Sequence, residues 1–325
     1  MFFLSPETGR RLANGAAAWG CAVFAAIRGL AVTGRLPIIG HVRFSYYGYT
    51  DTRLKPDKTG EALARLYDET RMARRFFLFE TLTLPSLLAQ TDPDFSILIM
   101  SSTVMPEPFR QRLTQIAARL PQAKVVFSGH RRSLLAYDAP MREALGPDQT
   151  GYAVHFRLDD DDALARSYIQ RLRQQAQGMP PRTHFSFPTG IHLFPAKAGG
   201  TVGTSLVVKE FLTAQGLAYV SGDGFLRNPF ATLHRQVWLS FPVLLNPDFP
   251  CYIRTSHFDN DTVARQDQVL QGRRQTRSGP EAAEHAQAVE AMLADEFPFI
   301  DRARLDAVLG DLTAIRGMAD LPPVT

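Results

Sequence analysis

The feature that most constrains the fold is an alternation of apolar, strand-like runs with helix-like segments in the first part of the chain. The run IIGHVRFSYY is rich in β-branched and aromatic residues and predicts a first strand. A long helix is predicted from Glu61 to Leu84, followed by the buried strand FSILIMSS. The amphipathic helix MPEPFRQRLTQIAARL and the short strand AKVVFS come next. Strands separated by helices predict an α/β protein with a parallel sheet and right-handed crossovers.

The second part of the chain has a different sequence pattern. A strand is predicted over Ala153–Leu158 and a helix over Ala163–Gln177, and short β-like pieces with Gly and Pro between them follow Pro180. We therefore predict one unit over 37–279, with a weak internal boundary near residue 180. A helical C-terminal tail is predicted over 280–325.

An N-terminal extension, 1–36, precedes this unit and contains sixteen residues without a charge, Leu12–Ile27. A transmembrane helix needs about 20 mostly apolar residues, so this run is short for a membrane span. Three interpretations stay open: a packed helix, an anchor on the membrane surface, or an export signal.

Composition excludes several classes of protein. The 36 basic and 32 acidic side chains leave a net charge of +4, which is too mild to indicate a nucleic-acid partner. The two cysteines, Cys21 and Cys251, provide neither a disulfide framework nor a cysteine-based zinc site. A cytoplasmic location is expected, with association at the inner face of the membrane if the N-terminal segment is an anchor.

The strongest chemical signal is a run of four aspartates, Asp159–Asp162, at the junction of a predicted strand and helix. In an extended segment Asp159 and Asp161 point to one side, and Asp160 and Asp162 to the other. Adjacent carboxylates repel one another unless water or a cation intervenes, and an all-oxygen site suits Mg²⁺ or Mn²⁺. Open α/β sheets also bind ligands at the carboxyl ends of their strands. The alternative is a solvated loop in which Asp162 caps the following helix.

Two motifs in this order carry a family resemblance. The stretch RFFLFETLTLPSLLAQTDPDFSILIMSS, Arg75–Ser102, and the later LDDDDAL resemble family 2-like glycosyltransferases. With the R-L-D-D-D-D segment and the late stretch IRTSHFDND, the chain most resembles the bacterial rhamnosyltransferase family. The resemblance implies a GT-A fold, in which a nucleotide-binding α/β half and a smaller acceptor-binding half share one continuous sheet. The strand that often ends in a nucleotide-binding Asp in family 2 enzymes reads IMSSTVMP here and lacks that Asp.

The resemblance also implies an activity and a metal site. We expect a transferase that moves a sugar, rhamnose by analogy, from a nucleoside-diphosphate donor to a glycan or lipid-linked acceptor, with inversion. Asp159 and Asp161 would be the outer carboxylates of a D-x-D motif that holds a divalent cation, Mn²⁺ or Mg²⁺. His257 resembles the late residue that closes such a site, and the alternative is a structural histidine. Asp259 and Asp261, which follow it, are interpreted as turn residues.

Further residues are assigned to the substrates. Donor binding is predicted for Tyr49, Asp51 and Arg53 in the loop after the first strand, and for Arg157 and Asp160 in or beside the aspartate run. Arg75, at the start of the stretch that carries the resemblance, is also assigned to the donor. Asp223, between two glycines, is the candidate general base, with a turn residue as the alternative. His234 and Trp238 are candidates for the acceptor site, although a Trp at that spacing also suits a core position.

Two rival functions stay open at this point. A metal-dependent nucleotidyltransferase or phosphohydrolase would use the same aspartates without forming a glycoside. A non-catalytic module with a degenerate GT-A fold would bind glycan or protein without needing the nucleotide.

Overall fold

The computed structural model describes residues 35–49, 56–146, 151–196, 203–257 and 280–324. The predicted N-terminal extension, 1–36, therefore lies almost entirely outside the described residues, as do Asp51, Arg53, Asp259 and Asp261.

The strands are, in chain order, β1 Ile38–Arg43, β2 Ser96–Ser102, β3 Ala123–Ser128, β4 Ala153–Asp159, β5 Ala163–Leu164, β6 His184–Ser186, β7 Thr189–Phe194, β8 Thr204–Lys209, β9 Ala218–Ser221, β10 Val243–Leu245 and β11 Tyr252–Thr255. The α-helices are α1 Glu61–Leu66, α2 Glu69–Leu78, α3 Leu84–Leu88, α4 Glu107–Ala117, α5 Ser133–Ala144, α6 Tyr168–Ala176, α7 Pro280–Glu296 and α8 Arg302–Leu309. A π-helical turn, Phe79–Thr83, joins α2 to α3, and 3₁₀ helices cover His234–Leu239, Leu312–Ala314 and Met318–Asp320.

The centre of the molecule is a seven-stranded mixed sheet in the order β10-β6-β9-β4-β1-β2-β3. The strands β3, β2, β1 and β4 are parallel, as the alternating sequence predicts. Beyond them β9 runs antiparallel to both β4 and β6, and β10 is parallel to β6. One continuous mixed sheet thus spans both parts of the chain, as the resemblance implies, and it confirms the α/β class. A smaller sheet, β5-β11-β7-β8, lies beside it.

The two faces of the large sheet differ in chemistry. On β1 and β4, Ile38, Val42, Val154 and Phe156 belong to the main apolar core, which α2, α3 and α4 complete. The alternate positions, including Ile39 and Ala153, belong to a second, smaller cluster with residues of α5. Because side chains alternate along a strand, Arg43, Arg157 and Asp159 fall on this second face, at the end of the strands.

Two predicted helices differ from the observed ones. The helix predicted over Glu61–Leu84 is interrupted at Tyr67 and Asp68, where the Asp68 carboxylate accepts a hydrogen bond from the amide of Arg71 at 3.0 Å and caps α2. The helix predicted to begin at Ala163 begins at Tyr168. Ala163 and Leu164 instead form β5, paired with β11.

The C-terminal region is helical, as predicted, and it packs on the rest of the protein. Val289 and Leu293 of α7 and Val308 of α8 are buried in the main core. The guanidinium Nε of Arg74, on α2, donates to the carbonyl of Leu312 at 3.0 Å. Within the described residues, no helix combines the length and the apolarity needed to span a bilayer.

Candidate active site

The candidate site lies where β1 and β4 end together. Arg43, the last residue of β1, is paired in register with Asp159, the last residue of β4. Nη2 of Arg43 lies 3.7 Å from Oδ1 of Asp159, and Nη2 of Arg157 lies 3.4 Å from the same oxygen. The Asp159 side chain is 25% exposed, whereas those of Asp160 and Asp161 are 0% and 5% exposed. Among these three carboxylates, Asp159 is therefore the most exposed.

Arg75 holds the next two aspartates. Its Nη1 donates to Oδ2 of Asp161 at 2.7 Å, its Nη2 donates to Oδ1 of Asp160, and its Nε lies 3.4 Å from the other oxygen of Asp160. Burial raises the pKa of Asp160, and Arg75 acts against that shift. Burial alone would lower the pKa of Arg75, but the two aspartates outweigh it and raise that pKa. Arg75 and Asp160, which were both predicted to bind the nucleotide-sugar donor, thus form an ion pair with each other.

Asp161 also contacts His257, which follows β11. Nε2 of His257 lies 3.0 Å from Oδ2 of Asp161, and the imidazole is fully buried. The hydroxyl of Thr255, at the end of β11, donates to the Asp161 carbonyl at 2.7 Å. This second bond fixes β11, and therefore His257, against the aspartate turn.

Asp162 is a buried structural residue. Oδ1 accepts from the amide of Thr255 at 3.0 Å, and Oδ2 accepts from the side-chain amide of Gln215 at 2.5 Å. Burial, together with the charges of Asp161 and Asp159, raises the pKa of Asp162 well above its ordinary value. The interpretation of Asp162 as a helix cap is therefore wrong, because its carboxylate joins β11 and the segment before β9.

Sequence reasoning missed two members of the site, Arg43 and Phe230. The guanidinium carbons of Arg43 and Arg157 lie 4.8 and 4.4 Å from the centre of the Phe230 ring. Such contacts are favourable and orient the planar cations. Arg43 could have been found by noting that parallel β1 and β4 end at the same edge, whereas no sequence signal marked Phe230. Arg157, a predicted donor ligand, is 1% exposed and lies within this group.

The loop after β1 crosses the ends of the neighbouring strands. The amide of Tyr47 donates to the hydroxyl of Ser102, at the end of β2, at 2.8 Å. The amide of Tyr49 donates to the carbonyl of Arg131, just beyond β3, at 2.7 Å. Tyr49 is 53% exposed at this edge of the sheet, which is where a donor-binding role requires it.

Asp223 is not brought to the aspartates. It lies at the tip of a turn with a φ of 49°, between Gly222 and Gly224. Ser221, just before it, pairs with Ala153 at the start of β4, whereas Asp159 is at its end. Six strand residues of about 3.3 Å each separate the two ends by about 20 Å. Because β9 runs antiparallel to β4, this candidate base lies beyond the start of β4, at the opposite end of the strand from Asp159.

The two predicted acceptor residues, His234 and Trp238, point in different directions because they lie on a 3₁₀ helix and not on an α-helix. A 3₁₀ helix has three residues per turn, so His234 aligns with Val237, which is buried, while Trp238 points elsewhere and is 54% exposed. Burial lowers the pKa of His234 to about 4, with Arg157 acting in the same direction and Asp159 against it. His234 therefore lies on the side that faces the candidate site, and Trp238 does not.

The predicted metal ligands fit a divalent cation in part. The 3.0 Å between Asp161 Oδ2 and His257 Nε2 is also the separation of two adjacent ligands on a six-coordinate ion with bonds of about 2.1 Å. Asp159 is held by arginines instead, and within the described ranges no three His, Cys, Asp or Glu side chains converge as a metal group. Two protein ligands suit an ion such as Mg²⁺, which fills its remaining positions with phosphate oxygens and water.

Comparisons with solved structures find distant likenesses. A mannosyltransferase, PcManGT from Pyrobaculum calidifontis in complex with GDP-Man and Mn²⁺, is 13% identical with a TM-score of 0.41, covering 89% of each chain. GalNAc-T7 with UDP, GalNAc and Mn²⁺ is 12% identical with a TM-score of 0.40, covering 74% of this chain and 48% of that one. TarS from S. aureus is 11% identical with a TM-score of 0.35, covering 68% of this chain. This chain spans only 37% of TarS, and likenesses at this level carry no functional conclusion.

The sequence comparisons are more decisive. No curated protein matches the chain. A family model described as "Putative rhamnosyl transferase" matches residues 37–268, which is most of the chain and includes all four aspartates and His257. The chain therefore belongs to the family that this description names.

Proposed function

We propose that the protein transfers a sugar, rhamnose by its family, from a nucleoside-diphosphate donor to an acceptor hydroxyl at the joint end of β1 and β4. The observation that carries the proposal is the pair of guanidinium groups, Arg43 and Arg157, beside the partly exposed Asp159. Two guanidinium groups share one carboxylate at the end of the strands, which is where α/β sheets bind ligands. A diphosphate is the anion that such a pair of planar donors suits.

The reaction that we propose is a direct displacement at the anomeric carbon of the donor sugar. The acceptor oxygen attacks the anomeric carbon, and the bond from that carbon to the donor's phosphate oxygen breaks with its electron pair going to the phosphate. The acceptor's proton passes to a base. A single displacement of this kind inverts the anomeric centre, and its transition state has oxocarbenium character. Arg43 and Arg157 would stabilise the negative charge that grows on the diphosphate.

A divalent cation would share this task, and Asp161 and His257 are the residues that would hold it. When bound, such an ion supplies Lewis-acid stabilisation of the leaving diphosphate. Arg75 supports the pair by orienting Asp161 through the bond at 2.7 Å. Dependence of the reaction on Mn²⁺ or Mg²⁺ is part of the proposal.

The acceptor is proposed to be a glycan or a lipid-linked sugar that approaches from the side of His234. This histidine lies close enough to Arg157 and Asp159 for their charges to shift its pKa. The Asp223 carboxylate, at the far end of β4, is not the base in this proposal.

Thermal-shift measurements test the donor site. The wild-type protein is heated with UDP, GDP, dTDP or CMP, each with and without Mn²⁺, and one diphosphate is expected to raise the melting temperature. A ligand at 100 times its Kd stabilises a protein by about 2.7 kcal/mol. No stabilisation by any of the nucleotides would contradict the proposal.

Two variants and a control locate the effect. Arg43→Met should weaken the stabilisation with or without Mn²⁺, whereas Asp161→Asn should remove mainly the part that depends on Mn²⁺. Arg302→Met is the matched control, because Arg302 is 71% exposed on α8 and forms its ion pairs with Glu290 and Asp306, outside the site. Nucleotide-sugar hydrolysis with no glycoside formed with any acceptor would favour the phosphohydrolase alternative.

A further inference from the structure

A small cavity lies beside the candidate site, between the strands β6 and β9 and the segment that follows β9. Residues of both strands and of that segment line it, among them His184, Tyr219, Phe225, Asn228 and Val237. The cavity volume is about 20 Å³, which is room for one water-sized group. A group that enters the cavity must therefore be small, such as a single hydroxyl.

The side chain of Asn228 carries a hydrogen-bond donor without a partner. Asn228 is 3% exposed, and its Oδ1 accepts from the amide of Phe230 at 2.9 Å. That bond fixes the orientation of the side-chain amide, because only its oxygen can accept. The other end, Nδ2, is buried and has no hydrogen-bond partner in the part of the chain that the structure describes. A buried donor without a partner is costly, so we expect its partner to come from the cavity.

His184 brings an acceptor to the same cavity. Its Nδ1 lies 2.8 Å from the carbonyl oxygen of Arg182, and because a carbonyl only accepts, Nδ1 carries the proton. Burial lowers the pKa of His184 to about 4, so the imidazole is neutral at pH 7 and Nε2 keeps its lone pair. Among the described residues, no group donates a hydrogen bond to this Nε2.

These polar groups select the chemistry of the occupant. A hydroxyl can accept from Nδ2 of Asn228 and donate to Nε2 of His184 at the same time. An anion would face the lone pair of a neutral imidazole. A cation would face the guanidinium of Arg227, which also lines the cavity and whose charge acts on His184. An uncharged hydroxyl is therefore the best match.

Direct contacts connect the cavity to the arginines of the candidate site. The amide of Arg157 donates to the carbonyl of Leu217, which lines the cavity, at 3.0 Å. Phe230, whose amide is bonded to Asn228, packs against the guanidinium groups of Arg43 and Arg157. The cavity and the proposed diphosphate site therefore lie only a few residues apart.

We propose that this cavity receives one hydroxyl group of the acceptor sugar, through Asn228 and His184, and so determines which sugar is accepted. The inference rests on the proposed function, because it takes the acceptor to be a glycan held beside Arg43 and Arg157. A site built to bond a hydroxyl discriminates strongly against an analogue that lacks it, because the polar groups of the site then stay unpaired.

Saturation-transfer NMR with methyl pyranosides tests the proposal. The full chain, with the nucleoside diphosphate that raises its melting temperature most, is titrated with the methyl glycosides of glucose, galactose, mannose and rhamnose. At least one glycoside should bind, and Asn228→Leu should raise its Kd about tenfold or more, because the donor is removed.

Monodeoxy analogues of the glycoside that binds best show whether Asn228 contacts a hydroxyl. Removal of one particular hydroxyl should weaken binding to the wild type by a similar factor and make little difference to Asn228→Leu. A merely structural role of Asn228 would not produce this dependence on a single hydroxyl.

Asn246→Leu is the matched control. Oδ1 of Asn246 accepts from the amide of Asp248 at 3.0 Å, in the same kind of turn, but Asn246 does not line the cavity. This variant should leave glycoside binding unchanged. Melting temperatures check that the variants fold. Asn228→Asp keeps an acceptor for the amide of Phe230 but has no Nδ2 donor, so it should also weaken binding and replaces Asn228→Leu if that variant does not fold.

The proposal is overturned if no glycoside binds to a protein that does bind a nucleoside diphosphate. It is also overturned if the Asn228 variants bind glycosides as tightly as the wild type, in which case the cavity holds only water. Glycoside binding that depends on Asn228, in a protein that binds none of the nucleotides, would refute the proposed function and support the hydroxyl site.

Discussion

Replacing Arg75 with methionine tests whether this arginine serves the fold or the donor. Arg75 donates to both Asp160 and Asp161, and the Asp160 side chain is fully buried. Methionine keeps most of the apolar stem of arginine, so packing changes little while the charge and the donors disappear. The substitution therefore leaves two carboxylates without their principal partner.

The magnitude follows from the burial of those carboxylates. Removing one partner from a buried ion pair costs about 3–5 kcal/mol, because the remaining charge is neither solvated nor paired. With a slope of about 2 °C per kcal/mol for a large domain, the melting temperature should fall by roughly 6–10 °C. Arg302→Met removes an arginine whose side chain is 71% exposed and should leave the melting temperature nearly unchanged.

The stability loss of Arg75→Met should also depend on pH, in a direction that the pKa of Asp160 sets. Burial raises the pKa of Asp160, so once Arg75 is gone the folded state holds a proton on this residue more readily than the unfolded state. A group with a raised folded-state pKa stabilises below its unfolded pKa, and that stabilisation is lost as the pH rises through the folded-state value. The deficit of Arg75→Met, measured by urea unfolding, should therefore shrink as the pH falls from neutral. If the variant is as stable as the wild type at neutral pH and only donor binding is weakened, the assignment of Arg75 to the aspartates is refuted.

Two further predictions concern the sheet. Burial lowers the pKa of His155 to about 3 and that of His41 well below its ordinary value, so protons bind the unfolded chain first and stability should fall as the pH drops below about 6.5. These two histidines should contribute about 3 kcal/mol to the difference in unfolding free energy between about pH 5.5 and pH 7.5, measured with urea. His184 and His234 add to it in the same direction, because burial lowers the pKa of each to about 4, and equal values at the two pH values would contradict the neutral burial of these histidines. Gly40→Ala should cost about 1–3 kcal/mol, because a Cβ there would clash with the Phe156 ring on β4, whereas Gly129→Ala, where a Cβ would meet only an ordinary contact at 3.5 Å, should be close to neutral in the same assay.

The parallel half of the sheet could be read from the sequence because its signals are local. Each strand is a short apolar run, and each crossover is a helix with its own apolar face. β3 was predicted with the observed bounds, and β2 and β4 to within one residue. The edge at which Asp159 lies followed from the same reasoning, since the carboxyl ends of parallel strands meet there.

The other elements could not be predicted because they depend on pairing between residues that are far apart in the sequence. Ala163 and Leu164 fit a helical pattern, but they pair with β11, almost ninety residues later, and no local signal predicts that bond. Asp223 lies in a turn, which is the alternative to its predicted role as general base. The direction of β9 is set by its antiparallel pairing with β4, and this direction carries the turn away from the site. The residues that neutralise the aspartates come from as far along the chain as Arg75, so sequence neighbours could not reveal them.

The aspartate run shows how burial divides four identical residues into different tasks. Asp162 joins the segment before β9 to β11, through Gln215 and Thr255, and its carbonyl accepts from the hydroxyl of Thr83 on the π-helical turn at 2.8 Å. Asp160 and Asp161 tie the same turn to α2, so the run fastens elements of both halves of the chain at one point. Carboxylates with such bonds are costly to move, and their rigidity holds Asp159 at the rim. A chemical site at this rim is therefore positioned by its three buried neighbours, which explains why a run of charges that would repel in water is stable here.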